Sequence, residues 1–476
     1  MNHLHDHGVT PDGVTESEPA VTDIEQAVDV VVIGLGPAGE EVASRLADAG
    51  LTVLGIERDL VGGECPYWGC IPSKMMVRGA ETLAEARLVN QLAGAAQVQP
   101  DYAPVAHRIR AEATDNWDDT VAVRRFEKRG GRFIRGQATL VGLRRVRVGE
   151  TVFTASMGVV LATGSAPVRP PIPGLAEAGY WTNREALEAT EPPRSLIVLG
   201  GGAIGLELSQ AFSRFGSAVT VVEGADRLVP VEEPEASAVI AAVLKAEGLT
   251  LHTGQRAVAV SRSGGRTTVE LDNGDTVEGD QLLVAVGRRP NLRGTGLASV
   301  GLDESAHAVT VDDRMRAADG LWAIGDVTGV GAYTHLAVYQ ARIAADDILG
   351  VPGYAADYIA LPRVTFTDPE IGSVGRSEAD ARAAGLDVRT GCAPVSTSSR
   401  GFIHGPGNDG LIKLVCDADR GVLVGATSVG PRGGEVLSML TLAVHARLPV
   451  TTLRQMIYAY PTFHRGVLDA LADLPV

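Results

Sequence analysis

The sequence contains few cysteines, few aromatic residues and no excess of positive charge. Among 476 residues there are 4 cysteines, aromatic residues make up 4%, and 42 Lys and Arg residues face 58 Asp and Glu residues, for a net charge of −16. An acidic protein is poorly suited to bind nucleic acid or an anionic membrane, so neither is a predicted partner. So few cysteines argue against a disulfide-stabilised secreted scaffold and favour the reducing cytoplasm.

Long hydrophobic runs are also missing. No segment approaches the roughly 20 apolar residues of a transmembrane helix. The first 26 residues are polar and acidic, without the basic start and apolar centre of a signal peptide. We therefore predict a cytoplasmic protein of about three domains, preceded by a disordered tail over residues 1–27. His3, His5 and His7 lie in this tail, which we predict to be a polar segment without a role. The alternative is that the free amine and His3 bind Cu²⁺ or Ni²⁺.

Two of the cysteines, Cys65 and Cys70, lie five residues apart in the segment GGECPYWGCIPSK (62–74). In an ideal helix such residues are roughly 8 Å apart between Cα atoms, whereas a disulfide needs Cα atoms within about 7 Å. The pair can therefore bond only where the helix is distorted, which Pro66 and Gly69 permit. A strained and easily reduced bond suits a pair that opens and closes during turnover.

The other two cysteines, Cys392 and Cys416, stand alone in the sequence. A zinc site would require a short CxxC spacing and a second such pair. Half a zinc site and two free thiols are thus the alternatives to a redox pair, and no metal site is predicted.

A dinucleotide-binding pattern precedes the cysteine segment. An apolar run over residues 29–33 predicts a buried strand, a helical stretch reaches residue 49, and a second strand over 51–56 ends in Glu57. Between the first strand and the helix, the GxGxxG glycines are Gly34, Gly36 and Gly39. They allow a tight turn in which backbone N–H groups approach a pyrophosphate, and Glu57 is placed to accept hydrogen bonds from ribose hydroxyls.

The same pattern recurs 166 residues later without a gap. The positions of Gly34, Gly36, Gly39, Gly50, Glu57 and Glu41 are taken by Gly200, Gly202, Gly205, Gly216, Glu223 and Glu207. The chain is therefore predicted to have two dinucleotide sites, the alternative being one Rossmann domain and a chance cluster of glycines.

Taken together, these segments resemble those of the flavoprotein disulfide reductases, which include dihydrolipoamide dehydrogenases and mercuric reductases. The redox segment of that family reads roughly GGxCxxxGCxPSK, which residues 62–74 fit. Residues 161–165 (LATGS), 285–291 (AVGRRPN) and 323–326 (AIGD) are similar to further family segments. The similarity runs from about residue 28 to 466, and it implies FAD on the first unit and a nicotinamide nucleotide on the second.

The resemblance implies an α/β fold with two Rossmann-like dinucleotide-binding domains and a C-terminal α+β dimerisation domain. Segments rich in Pro and Gly over 164–174, 287–294 and 350–353 indicate the boundaries, and from about Asp357 short β-like and helical runs alternate. The predicted domains are an FAD-binding domain in two segments (28–172 and 291–352), a nicotinamide-binding domain (173–290) and a dimerisation domain (353–476).

The resemblance also implies roles for individual residues. Electrons pass from the nicotinamide through FAD to a Cys65–Cys70 disulfide; Cys70 faces the flavin in a charge-transfer complex, and Cys65 attacks the substrate. Because Cys65 precedes Pro66 at a predicted helix start, the helix dipole is also expected to favour its thiolate. Lys74 and Glu207 match a pair beside the flavin, the alternative being a surface salt bridge. The other implied cofactor-binding residues are Gly63, Thr163, Gly164, Gly287, Gly325 and Asp326.

Glu223 bears on the choice of nicotinamide nucleotide. A carboxylate at this strand end accepts a hydrogen bond from the 2′-OH of NADH and repels the 2′-phosphate of NADPH. NADH is therefore favoured, although Arg227 lies close enough in sequence to weaken the preference. The alternative for Glu223 is a solvated acid that contacts nothing.

The C-terminal segment departs from the family. Thiol-forming members have HPTxxE, with a histidine as acid–base group and a glutamate that orients it from the partner subunit. Here the segment reads YPTFHR, with Tyr460 in place of the histidine and Arg465 in place of the glutamate. A phenol, with an ordinary pKa of about 10, is a poor base at neutral pH, so good turnover of dihydrolipoamide or glutathione is not expected.

Tyrosine at this position resembles mercuric reductases and soluble transhydrogenases, but neither assignment transfers. The chain lacks the C-terminal cysteine pair of the former, and it has the complete redox pair that the latter lack. His464 is a candidate acid–base group, or an exposed histidine without that role. Three functions remain open: reduction of a small disulfide or metal ion by a homodimer, a quinone reductase or diaphorase that bypasses the cysteines, and a redox sensor without catalysis.

Overall fold

The structure is a computed structural model that describes residues 24–475. Residues 1–23, with His3, His5 and His7, and residue 476 lie outside the described residues, so what the sequence predicts for them stays a prediction. Among residues 24–475, no helix is both long and apolar enough to cross a membrane.

The first part of the chain forms most of an eight-stranded sheet and the helices that cover it. Its elements are β1 (Ile24–Ile33), α1 (Pro37–Asp48), β2 (Val53–Glu57), α2 (Glu64–Trp68), α3 (Cys70–Leu92), α4 (Ala103–Arg108), α5 (Thr120–Lys128), β3 (Arg132–Arg135), β4 (Ala138–Gly142), β5 (Arg145–Val148), β6 (Thr151–Leu161) and β7 (Ser165–Pro167). The centre of the sheet is parallel, because β1 pairs with both β2 and β6. Val30, Val31 and Val32 are fully buried, as expected for a parallel strand covered on both faces.

Strand β1 is longer than its apolar pattern predicts. The sequence predicts a strand from residue 29, but β1 begins at Ile24. Residues 24–28 pair with residues 151–155 of β6, and the pairing provides hydrogen-bond partners for their backbone N–H and C=O groups. The polar sequence of this segment does not predict a strand. The prediction of a disordered tail is therefore wrong for residues 24–27.

A second, parallel sheet follows. The elements of this part are α6 (Leu175–Ala178), α7 (Asn183–Glu188), β8 (Ser195–Leu199), α8 (Ala203–Arg214), β9 (Ala218–Glu223), α9 (Pro234–Ala246), β10 (Thr250–Thr253), β11 (Ala257–Ser263), β12 (Arg266–Leu271), β13 (Thr276–Gly279), β14 (Gln281–Val284) and β15 (Arg288–Pro290). The order β10-β9-β8-β14 is parallel throughout, and β11, β12 and β13 form a separate antiparallel sheet. Strand β15 pairs with β7, so the two crossings between the large sheets lie side by side.

The chain then returns to the first sheet through β16 (Arg316–Ala318), β17 (Leu321–Ala323) and α10 (Thr334–Ile348). Strand β17 pairs in parallel with β6. Helix α10 lies beside α1, where Arg342 donates to Glu41 at 3.0 Å. The first sheet is therefore built from two segments of the chain, one before and one after the second sheet in sequence.

The C-terminal part is an antiparallel sheet covered by helices. Its elements are β18 (Pro362–Thr365), β19 (Glu370–Gly375), α11 (Glu378–Ala383), β20 (Val388–Pro394), α12 (Ser399–His404), β21 (Leu411–Asp417), β22 (Val422–Gly430), α13 (Gly433–His445), α14 (Val450–Gln455) and α15 (Gly466–Asp473). The strand order is β18-β19-β22-β21-β20. The predicted fold class, α/β with two dinucleotide-binding folds and a C-terminal α+β domain, is confirmed.

Candidate active site

The two predicted nucleotide turns have the same internal hydrogen bonds. In the first turn, the Leu35 and Asp59 amides donate to the two Glu57 oxygens at 2.8 and 2.7 Å. In the second turn, the Gly201 and Ala225 amides donate to Glu223 at 2.5 and 2.7 Å. Each position is 166 residues from its counterpart. Glu223 is therefore part of the turn, and the alternative of a solvated acid without contacts is wrong.

The outer glycines of each turn are required by close backbone approaches. Gly34 has φ +91°, and a Cβ there would lie 2.4 Å from the Ala162 carbonyl oxygen. A Cβ on Gly39 would lie 1.9 Å from the carbonyl oxygen of Gly34. The second turn repeats both approaches, with a Cβ on Gly200 2.4 Å from the Ala285 oxygen and one on Gly205 2.0 Å from the Gly200 oxygen.

The middle glycines instead leave open space in front of a helix. Within the described chain, a Cβ on Gly202 would meet no heavy atom within 4 Å, and one on Gly36 would meet only the Gly63 Cα at 3.9 Å. No described side chain caps α1 or α8, which start at these turns. Because the glycines have no side chain, the backbone N–H groups at the two uncapped helix N-termini are accessible, and each N-terminus can bind one pyrophosphate. The residues present therefore suit both dinucleotides.

A cavity of about 1040 Å³ joins the first turn to the cysteines and to the C-terminal part. The predicted site residues that line it are Gly34, Gly36, Glu57, Gly63, Cys65, Cys70, Lys74, Thr163, Gly164, Glu207, Gly325 and Asp326. Gly39 lies beneath its turn, and the second-unit residues Gly200, Gly202, Gly205, Glu223 and Gly287 lie outside this lining. Its volume is at the upper end for a small-molecule site, as a dinucleotide requires.

Asp326 occupies a buried end of the cavity. Burial raises the pKa of its carboxyl, while a hydrogen bond from Ser165 and the nearby Arg288 charge oppose that change. Arg288 also donates from Nε to Ser165 Oγ at 2.8 Å. Ser165 and Arg288 lie in family-like segments, but sequence reasoning did not single them out, because their contacts form only when the two crossings pair.

Glycines also shape the redox segment. Gly63 has φ +66°, and a Cβ there would lie 2.8 Å from the Gly36 Cα, so this segment packs directly on the first turn. The helix breaks at Gly69, between α2 and α3. A Cβ on Gly69 would lie 3.1 Å from the Cys65 Cα. The predicted distortion between the two cysteines is therefore confirmed at Gly69.

The two redox thiols differ in their surroundings. Both are free, and Cys70 Sγ is 3.4 Å from Thr334 Oγ1. A hydrogen bond from Cys65 lowers the pKa of Cys70 to about 6 against the effect of burial, with help from Thr334 and the charge of Lys74. Donating that hydrogen bond, together with burial, raises the pKa of Cys65. Of the two sulfurs, Cys70 is therefore the one whose surroundings favour the thiolate.

The expectation that a helix dipole favours the Cys65 thiolate is accordingly wrong. Helix α2 has only 5 residues, so few peptide dipoles add up along it. The adjacent Cys70 sulfur is a closer and stronger influence, and it keeps the proton on Cys65.

Lys74 and Glu207 form an ion pair at 2.6 Å. The Glu207 side chain is only 6% exposed, so the alternative of a surface salt bridge is wrong. The other Glu207 oxygen accepts a hydrogen bond from the Phe366 amide at 2.8 Å, and Lys74 Nζ lies 4.7 Å from the centre of the Phe366 ring. The pair therefore links α3, α8 and the C-terminal part at the cavity wall.

Tyr460 and His464 lie apart from the cysteines of their own chain. Tyr460 is 68% exposed, donates to Ser399 Oγ at 3.1 Å and lies under the Arg465 guanidinium. His464 Nε2 is 3.5 Å from Thr462 Oγ1. Neither residue lines the cavity that residues 24–475 enclose. Their roles at the redox pair stay predictions that need a second subunit.

The C-terminal part exposes several large apolar side chains. Ile457 is 96% exposed and Phe402 is 81% exposed, and Ile403, Leu442 and Met456 are also exposed. Exposed apolar side chains of this size are typical of an interaction surface.

Comparisons with known proteins give a consistent result. Residues 28–341 match the sequence profile of the pyridine nucleotide-disulphide oxidoreductases, and residues 361–471 match the profile of their dimerisation domain. The chain is 36% identical over 464 residues to the dihydrolipoyl dehydrogenase of Thermus scotoductus, covering 94% of this chain and 97% of that one. It is 32% identical over 471 residues to the mercuric reductase of Staphylococcus aureus, covering 96% and 84%.

Solved structures agree with the sequence comparison. The chain superposes with a TM-score of 0.81 and 27% identity on the Cu(II) complex of RclA, an HOCl-induced flavoprotein disulfide reductase of Escherichia coli. It superposes with a TM-score of 0.83 and 28% identity on LpdA of Mycobacterium tuberculosis. Each comparison covers 94% of this chain and 99% of the other.

Proposed function

The chain belongs to the pyridine nucleotide-disulphide oxidoreductase family, and we propose that it uses NADH to reduce a small disulfide or a metal ion through Cys65 and Cys70. Its cofactors are FAD and NAD(P)H, as in the family. The match to the dimerisation domain and the exposed apolar side chains of the C-terminal part support a homodimer. The proposal rests chiefly on one observation: two free cysteines, Cys65 and Cys70, lie together in the cavity that the first nucleotide turn also lines.

The residues around the cavity suit FAD. The first turn would hold its pyrophosphate at the start of α1, Glu57 would accept from its adenosine ribose, and Asp326 would bind its sugar chain. When bound, this cofactor supplies two-electron transfer between the nicotinamide and the cysteine pair.

The cysteines would reduce a disulfide in two exchanges. The Cys65 sulfur attacks one substrate sulfur, a mixed disulfide forms, and the first substrate thiol leaves. Cys70 then gives the proton it has accepted to the departing substrate sulfur and attacks Cys65, so that the mixed disulfide breaks, the Cys65–Cys70 disulfide forms and the second substrate sulfur leaves. Before the first attack, Cys65 loses its proton along its hydrogen bond to the Cys70 thiolate, so the pair shares one proton. NADH would supply the two electrons and the one proton that restore the thiol–thiolate pair, and one proton from solvent completes the second product thiol, so that one disulfide, one NADH and one proton give two thiols and NAD⁺.

The chain should prefer NADH to NADPH by at least about tenfold in kcat/KM, or about 1.4 kcal/mol. Glu223 repels a 2′-phosphate, and Arg227 does not offset that repulsion, because its guanidinium donates to Pro230 O and Ser237 Oγ, both at 2.6 Å. Steady-state rates with both nucleotides test this preference. Glu223→Gln should reduce it, whereas Arg227→Gln should leave it unchanged. Equal rates with the two nucleotides in the wild type would contradict the role of Glu223.

Tyr460→Phe should lower turnover of the oxidised substrate and leave the reduction of FAD by NADH unchanged. The substrate reaction requires the segment of the partner subunit, whereas Lys74, Glu207 and both nucleotide turns lie within one chain. Sedimentation tests whether the protein is a dimer, and stopped-flow absorbance measures the reduction of FAD by NADH. Tyr354→Phe, a change at another exposed tyrosine, is the control. A monomer, or slower FAD reduction in Tyr460→Phe, is incompatible with a site shared between subunits.

Restoring the family residues should add disulfide turnover. Tyr460→His combined with Arg465→Glu replaces a weak base by an oriented imidazole, which contributes at most roughly 10²–10⁴-fold in related chemistry. The gain should appear in kcat with a small dithiol-forming disulfide. The double variant is compared with each single variant, since the histidine needs the glutamate to orient it.

A further inference from the structure

Thr334 lies directly against the redox pair. It is the first residue of α10, a helix of 15 residues, and its Oγ1 is 3.4 Å from Cys70 Sγ. Thr334, Cys65 and Cys70 all line the large cavity. A hydroxyl this close to sulfur forms a hydrogen bond whose direction depends on which group has the proton.

The surrounding groups determine that direction. Cys65 on α2 and Lys74 on α3 both face Cys70, the first as a hydrogen-bond donor and the second as a positive charge. His335, the next residue of α10, is engaged through Nε2 with the Pro362 carbonyl oxygen at 2.9 Å. Glu207 is paired with Lys74. Every polar neighbour that acts on Cys70 therefore favours its thiolate, which can only accept from the Thr334 hydroxyl.

The position of Thr334 adds to this effect. The start of α10 has partial positive charge, and none of the described side chains caps it. The Thr334 hydroxyl therefore lies at a helix N-terminus, whose partial positive charge also favours the Cys70 thiolate.

We propose that Thr334 is a positioning residue that stabilises the Cys70 thiolate by donating a hydrogen bond from its hydroxyl to the Cys70 sulfur. This inference rests on the proposed function and adds, from α10, a hydrogen-bond donor to the Cys70 sulfur. Without the hydroxyl, the Cys70 thiolate loses one hydrogen-bond donor, and the apparent pKa of Cys70 rises.

The experiment measures thiol reactivity and needs no substrate. The holoenzyme, reduced anaerobically with dithiothreitol, is treated with iodoacetamide from pH 5 to 9, and alkylation at each cysteine is followed by peptide mass. Thr334→Val, which keeps the shape and removes the hydroxyl, should raise the apparent pKa of Cys70 by about one unit. Thr334→Ser should restore the wild-type profile. Thr82→Val, an exposed threonine of α3, should leave the profile unchanged.

Two results would overturn the inference: a Thr334→Val profile identical to the wild type, or a Thr334→Ser profile identical to that of Thr334→Val. If Thr334→Val does not fold or retain FAD, Thr334→Ala is measured in the same way. A protein that shows the shift but reduces no disulfide and no metal ion would refute the proposed function and still support the role of Thr334.

Discussion

Cys70→Ser is expected to abolish disulfide reduction, with a loss of at least about 10³-fold in kcat, while FAD stays bound. Serine keeps the shape of the side chain, but it can neither form the Cys65–Cys70 bond nor act as a thiolate. The same variant should lose the long-wavelength absorption that the wild type gains when NADH is added without oxygen. Visible spectra and steady-state assays measure both effects.

Cys65→Ser provides the contrast. It should also lose disulfide turnover, but it should keep the long-wavelength absorption, because Cys70 remains a thiolate beside Thr334 and Lys74. Cys392→Ser, a half-buried cysteine outside the cavity, is the control and should behave as the wild type. If the absorption disappears in Cys65→Ser and persists in Cys70→Ser, the two roles are reversed. Quinone reduction that is unaffected in all three variants would instead favour a diaphorase.

Glu207→Gln is expected to slow the reduction of FAD by NADH by about 10²-fold. The amide keeps an acceptor for the Phe366 amide but removes the charge that holds Lys74 at 2.6 Å. Lys74 then becomes an unpaired charge at the cavity wall and is free to move toward its solvated side. Stopped-flow absorbance at the flavin band measures the rate, and Lys74→Met should show a loss of similar size.

Glu233→Gln is the matched control for this experiment. Glu233 is also a buried acid paired with a lysine, since Lys413 Nζ is 3.0 Å away and both side chains are 4% exposed, but it lies outside the cavity lining. This variant should lower stability without slowing FAD reduction. Equal slowing in both variants would mean that Glu207 acts only by holding the domains together.

Sequence reasoning was most successful where the backbone alone determines the geometry. Glycine spacing predicts the two turns because no side chain fits at the outer glycine positions, where another part of the backbone lies too close. Gly34 beside Ala162 is an example. Glu57 and Glu223 occupy equivalent positions in the two units, because each carboxylate accepts hydrogen bonds from backbone amides of its own turn. The resemblance paired Lys74 with Glu207, although 133 residues separate them.

Side-chain contacts across domains could not be predicted in this way. Thr334 and Cys70 are 264 residues apart, and no local pattern marks a threonine that will meet a sulfur. The dipole of the short helix α2 does not decide the pKa of Cys65, because the adjacent Cys70 acts on this thiol more directly. Strands β19 and β20 have no clear sequence pattern, because their glycines and, in β20, a proline interrupt the alternation of apolar and polar residues.

Thiol counting after a single reducing equivalent tests the central claim most directly. The oxidised holoenzyme is mixed anaerobically with one equivalent of NADH per chain, alkylated with one isotopic form of iodoacetamide, reduced, and alkylated with the other form. The account predicts that two new thiols appear, at Cys65 and Cys70, and that Cys392 and Cys416 do not change. Consumption of NADH with no new thiol at either Cys65 or Cys70 would contradict it.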